Sequence, residues 1–186
     1  MNTDIINHIK ALSSLDKETL TYYKSIVKTA IKQRRTIFTA GNGGSASDSA
    51  HLTGEIVGKF LIDRPGYPAV DLSANNTVIT AIGNDFGYEK IFSRQLESAA
   101  NQGDVFIGFT TSGNSKNILE GAKQAKKMGL EVLIISGRDG GEIAKEGFKS
   151  LIVNSNSTPV IQIVHGFILH QIAYVTDEVF REQDDI

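Results

Sequence analysis

Residues 16–34, DKETLTYYKSIVKTAIKQR, place Leu20, Tyr23, Ile26, Val27, Ala30 and Ile31 at mixed spacings of three and four. That is the pattern of a helix burying one stripe. The N-terminal segment, 1–34, is therefore predicted to be helical. Beyond it the stripe gives way to short, near-continuous apolar runs: TIFTA (36–40), AVDL (69–72), DVFIGFT (104–110), EVLIIS (131–136) and SLIV (150–153). Runs of this length suit strands covered on both faces. The intervals between them are helical in character and longer than about ten residues, as right-handed parallel crossovers require. The pattern thus predicts an α/β chain: three αβα layers on a five-stranded parallel sheet, doubly wound in the flavodoxin-like manner.

The last segment, TPVIQIVHGFILHQIAYVTDEVF (158–180), opens on Thr158 as N-cap with Pro159 at the first helical position. It is apolar on most sides, more than one sheet face needs, which predicts extensive burial and, together with the N-terminal helical segment, packing against other subunits. No stretch is expected to approach the ~20 apolar residues of a membrane span. Without repeats or linkers, 1–186 reads as one domain, and DRPGYP (63–68) reads as a helix-to-strand loop rather than a boundary.

Charge narrows the partners. Nineteen basic residues against 21 acidic ones give a net charge of −2. This exerts no general pull on nucleic acid or an anionic membrane, so neither is expected as a partner and a phosphate would need a local site. The sequence contains no cysteine, so any metal must be held by nitrogen and oxygen. The opening MNTDIINHIKALSS lacks a basic-then-apolar signal pattern. A soluble, cytoplasmic protein is expected.

In such a sheet, ligands lie beyond the carboxyl ends of the strands, where loops lead into helix N-termini. Two loops fit: Gly41-Asn42-Gly43-Gly44-Ser45, and Thr110-Thr111-Ser112-Gly113-Asn114-Ser115. Each alone is equally an ordinary capped turn; as a pair on one sheet edge they favour phosphate held by amides and hydroxyls. A third loop, Gly137-Arg138-Asp139-Gly140-Gly141, reads as a turn. GNGGSA also meets the loose dinucleotide fingerprint with Asp71 as ribose acceptor, but that spacing exceeds the ~20 residues expected.

His51 and Glu55 are stacked on one helical face. A surface ion pair is the ordinary reading of that spacing; the C-terminal helix changes it. There Gln162, His165 and His170 interrupt an apolar segment, and buried polar groups need partners. Gln162 and His170 differ by roughly 80° around the helix and read as functional, whereas His165 reads as a satisfied core residue. Two imidazoles, a carboxylate and an amide oxygen would form a four-ligand shell for zinc or a similar divalent ion.

With these residues assembled, the sequence resembles the sugar isomerase (SIS) fold family, and within it the branch that isomerises heptose 7-phosphates. The resemblance runs through AGNGGSA, the helix with His51 and Glu55, DRPGYPA, AIGNDFGYEKIFSRQ (81–95), GDVFIGFTTSGNSKNIL (103–119), SGRDGG (136–141) and the Gln162-to-His170 spacing. It implies interconversion of sedoheptulose 7-phosphate and D-glycero-D-manno-heptose 7-phosphate for surface polysaccharide. It also implies one zinc ion per subunit at His51, Glu55, Gln162 and His170. Substrate contacts would come from Asn42, Gly43, Gly44, Asn84 and Asp85, with Glu55 and Gln162 among them, and phosphate would sit on Thr110, Thr111, Ser112 and Ser115. By the same resemblance Glu55 would be the base and His170 the acid or relay, in a homotetramer with active sites at subunit interfaces. The pattern departs at Val160 and Ile163, where the family usually has a basic residue and Glu, and at Thr110, which replaces a common Ser but keeps the hydroxyl. Two other readings remain: isomerisation of another phosphosugar, and a non-catalytic SIS protein that binds a replication initiator, although those relatives do not keep the Glu and final His present here.

Overall fold

In the computed structural model, which describes residues 3–184, the N-terminal segment is two helices rather than one: α1 (Thr3–Ser13) and α2 (Lys17–Lys32). Asp16 makes the break. Its carboxylate accepts from the Glu18 and Thr19 amides and, at 2.6 Å, from the Thr19 hydroxyl, satisfying donors that a new helix leaves open. The Thr19 hydroxyl and amide hold the Asp16 carboxyl below its ordinary value.

Five strands, β1 (Ile37–Ala40), β2 (Ala69–Asp71), β3 (Val105–Thr110), β4 (Glu131–Gly137) and β5 (Ser150–Val153), form one parallel sheet in the order β2-β1-β3-β4-β5. The pleat sends Ile37, Val105, Ile107, Phe109, Leu133 and Ile135 to one face, where they pack with α2, α3 (Gly44–Val57) and α8 (Thr158–Asp184). It sends Phe38, Ala40, Phe106 and Ile134 to the other, against α5 (Ser93–Ala99), α6 (Lys116–Lys127) and α7 (Gly141–Lys145). Between β2 and α5 lie α4 (Asn76–Phe86) and a 3-10 turn (Tyr88–Lys90). The three-layer expectation therefore holds, and this strand order reverses between β1 and β3, the crevice where doubly wound sheets bind ligands.

Three expectations need amending. β2 is a short edge strand rather than one covered on both faces: Val70 is 44% exposed, because a single neighbour, β1, pairs with it. The first full-turn bond of α8 runs from the Ile161 amide to the Ser157 carbonyl, which moves the N-cap one residue ahead of Thr158. Lastly, α8 is by length and composition a helix able to cross a bilayer, the one such among the described residues. Here half of that stretch is buried within the protein, against α3, α2 and α1, and it carries buried His165, Thr176 and Asp177.

Tyr23 ties the α2 layer to the sheet. Its buried hydroxyl lies 2.8 Å from the carbonyls of Ile134 and Lys149 and accepts from the amides of Ile134 (2.9 Å) and Leu151 (3.2 Å), so it closes the gap where β4 and β5 begin to pair. Burial pushes the phenol above its ordinary 10.0. A group raised on folding stabilises fully below its unfolded pKa and loses that contribution as pH climbs past it. Tyr23→Phe is accordingly expected to lower stability by about 1–3 kcal/mol at neutral pH. It should also flatten the decline above pH 10, both read from urea midpoints across pH.

Candidate active site

Helices α3 and α8 run alongside one another in the same direction, with Gly44 beside Gln162, Asp48 beside His165 and His51 beside His170. On α3 the three partners are spaced four and three apart, one helical stripe, whereas on α8 they are spaced three and five apart and spread over a broader face. In the third pair, His51 Nε2 lies 3.0 Å from Glu55 Oε1, and the His51 and His170 rings meet edge to face at 5.0 Å. One donor atom from each of His51, Glu55 and His170 falls within 4.8 Å of the others. Ligands about 2.1 Å from a tetrahedral ion stand roughly 3.4 Å apart. The two imidazoles and the carboxylate thus fit a divalent cation with small adjustments of rotamer, and their nitrogen and oxygen donors suit zinc. Phe60 stacks on His170 with centroids 5.6 Å apart and meets Tyr174 edge to face at 4.9 Å, fixing one side of the imidazole.

The fourth ligand expected from the sequence lies elsewhere along the α3–α8 seam: the Gln162 amide packs against Gly44, about 12 Å along the helix from His170. A Cβ at Gly44 would stand 2.1 Å from Gln162 Nε2, so a larger residue there would require the Gln162 amide to move. His165 is buried, as expected of a core residue, with Nε2 at 3.3 Å from the Ser136 carbonyl. Its Nδ1 faces Asp48 at 3.8 Å, too far for a direct hydrogen bond.

The two strand-end loops flank the β1/β3 crevice as expected. Thr110 is buried, shares a 3.0 Å hydrogen bond with Ser115, and accepts from the Gly113 amide; Thr111 and Ser112 are half-buried, and Ser112 accepts from the Asn114 amide. The turn after β4 holds this loop from behind. Gly113 O accepts from Ile143, Asn114 Oδ1 accepts from Glu142, and Gly113 has φ +68 with Gly140 O only 2.0 Å from where a Cβ would stand. The third glycine loop is a turn, as read, and also a buttress.

From the first loop, Asn42 exchanges amide hydrogen bonds with Asn117 at 2.9 and 2.7 Å, while Tyr88 donates to Asn42 at 3.0 Å. Asn42, Tyr88, Glu89, Ser115, Lys116 and Asn117 line a cleft of about 420 Å³. Gly43 is exposed at the mouth of α3. Asn84 and Asp85 join neither this cleft nor the His–Glu–His group; they are exposed in the last turn of α4, where Asn84 donates to Asp85 at 2.7 Å. One carboxylate oxygen of Asp71 is committed internally, accepting from the Ser49 hydroxyl and the Ser73 amide, which leaves it less suited to a ribose. Of the departures from the family pattern, Val160 is buried and Ile163 is 60% exposed.

Sequence reading missed Asn117, Tyr88 and Phe60. Asn117 and Tyr88 could have been singled out as polar residues just past a strand-end loop. Phe60 carries no local signal, since its place is defined by His170 and Tyr174 of α8.

A family model for the SIS domain matches residues 2–137. The phosphoheptose isomerase of Sulfurimonas denitrificans is 44% identical over 182 residues, 97% of this chain and 88% of its own. That of Aneurinibacillus thermoaerophilus is 39% identical over 193 residues, covering 98% of each chain. Among solved structures, phosphoheptose isomerase GmhA from Neisseria gonorrhoeae is similar with a TM-score of 0.86 and 31% identity, covering 94% of this chain and 95% of that one.

Proposed function

The chain belongs to the SIS domain family, and from that membership we propose that this isomerase converts sedoheptulose 7-phosphate to D-glycero-D-manno-heptose 7-phosphate. The single observation that carries the reading is the meeting of His51, Glu55 and His170 from two helices within 4.8 Å. The relatives' name supports the substrate.

The phosphate rests on the loop Thr110–Ser115, whose amides and hydroxyls suit an anion without a lysine. Asn42, Gly43 and Gly44 meet the sugar hydroxyls, and the reactive end of the open-chain ketose lies at the His–Glu–His group. Glu55 takes a proton from C1; O2 gains one, leaving a cis-enediol; return of a proton to C2 and loss of the O1 proton give the aldehyde. His170 relays the proton between O1 and O2. A divalent ion held by His51, Glu55 and His170, which Gln162 would reach as fourth ligand only by turning away from Gly44, would supply Lewis-acid stabilisation of negative charge on those oxygens, worth several kcal/mol. Phe60 shields one face of His170 from water.

The isomerase works as a cytoplasmic homotetramer, one domain per chain. Exposed Ile5, Ile9 and Leu12 on α1 and Ile163 and Phe167 on α8 support that assembly, since such apolar surface marks an interface. Incubation of the purified protein with sedoheptulose 7-phosphate is expected to yield an aldose 7-phosphate, detected by the reducing-end NMR signals. Turnover of a different ketose phosphate alone would overturn the substrate assignment, and no turnover of any would overturn the reading.

A further inference from the structure

The loop that the sequence presents as a plain connection, residues 58–68, carries a buried cation. Arg64 has its whole side chain out of solvent, and its partner Asp177 is nearly as enclosed. Nη2 donates to the Glu55 carbonyl and to the Thr176 hydroxyl, each at 2.7 Å. Nη1 donates to the carbonyls of Ile56 (3.2 Å), Pro65 (3.1 Å) and, more weakly, Gly58 (3.4 Å), and Nε to Asp177 Oδ1 at 3.0 Å. The second Asp177 oxygen accepts from the Leu61 amide at 3.0 Å, and the guanidinium lies over the Tyr67 ring at 5.0 Å.

Two facts give this cluster meaning. The last turn of α3 has no basic residue of its own, so Arg64 supplies the charge and donors that the final carbonyls of α3 lack. The first of those carbonyls belongs to Glu55. On the other side, Asp177 lies seven residues after His170, hence on the same face of α8. One planar fork therefore grips the backbone of one proposed catalytic residue and the helix face of the other.

We propose that Arg64 is a positioning residue for the isomerase reaction: through the Glu55 carbonyl and Asp177 it locks α3 against α8 and so sets the spacing of His51 and Glu55 from His170. The same loop brings Phe60 against His170, so loosening the anchor releases both restraints. A displacement of about 1 Å between reacting groups can cost 10²-fold in rate. Lysine cannot replace the fork, because a single ammonium does not reach acceptors on three sides of a plane.

The inference rests on the function proposed above, and its test separates the two. Cobalt(II) affinity, by competition with a chromophoric chelator, and steady-state kinetics would be measured for the wild type, Arg64→Lys and the isosteric Asp177→Asn, at a temperature where near-UV circular dichroism shows native packing. Both variants are expected to bind cobalt(II) 10–100-fold more weakly, with kcat at least tenfold lower and KM little changed. Variants that denature at lower urea concentration yet match the wild type in cobalt(II) affinity and kcat would overturn the proposal. Asp177→Asn keeps the volume of the pair and answers the question should Arg64→Lys fail to fold. A wild type that neither binds cobalt(II) nor isomerises would instead overturn the functional reading.

Discussion

Replacing Glu55 by Gln is expected to lower turnover about 10²–10⁴-fold, the usual contribution of a positioned general base, while leaving the protein folded. The substitution preserves shape, and the side chain is half-buried on the α3–α8 seam with His51 as its one hydrogen-bond partner among the described residues, so little packing is at stake. What disappears is the capacity to accept a proton from C1. An amide oxygen can still contact a cation, so metal content measured alongside turnover separates the two duties assigned to Glu55. Activity lost with metal retained identifies a base; both lost together identify a ligand above all. Turnover within a few-fold of the wild type would remove Glu55 from the mechanism.

Stripping divalent ions with a chelator is expected to abolish isomerase activity, and adding zinc is expected to restore it. The donors of His51, Glu55 and His170 already crowd within 4.8 Å, so the chain needs little rearrangement to close on an ion. Because binding favours the folded state alone, ion at 100 times its dissociation constant should add about 2.7 kcal/mol of stability. That shift gives a reading independent of catalysis. His51→Ala should lose both the activity and the stabilisation; full activity in the chelated protein would show that the cluster is an ordinary polar seam.

The elements most legible in the sequence are those whose signal is local. The runs that became β1, β3, β4 and β5 match the strands within one residue at each end, because mostly apolar runs of four to seven residues between helical patterns have few other uses in a parallel sheet. The break between α1 and α2 was hidden because the stripe continues on either side of it, and only the Asp16 carboxylate, bonding three residues ahead, shows where the helix restarts. His51, Glu55 and His170 could be shortlisted from spacing and from their apolar setting. Gln162 fits the same face of α8 but packs on Gly44, a detail of side-chain direction that spacing does not encode. Arg64 was least visible of all. Beside a proline in a polar loop it looks like a solvated charge, and its burial is decided by a carboxylate 113 residues further along the chain.

That separation governs when the protein can finish folding. The anchoring carboxylate and His170 both belong to the final helix, so as the polypeptide emerges from the ribosome, everything up to β5 is made before Arg64 has a counter-ion. Contacts so distant in sequence form late, and a chain cut short ahead of α8 would carry an uncompensated cation in its interior as well as half a reaction centre. Assembly of the catalytic apparatus thus waits on the synthesis of α8.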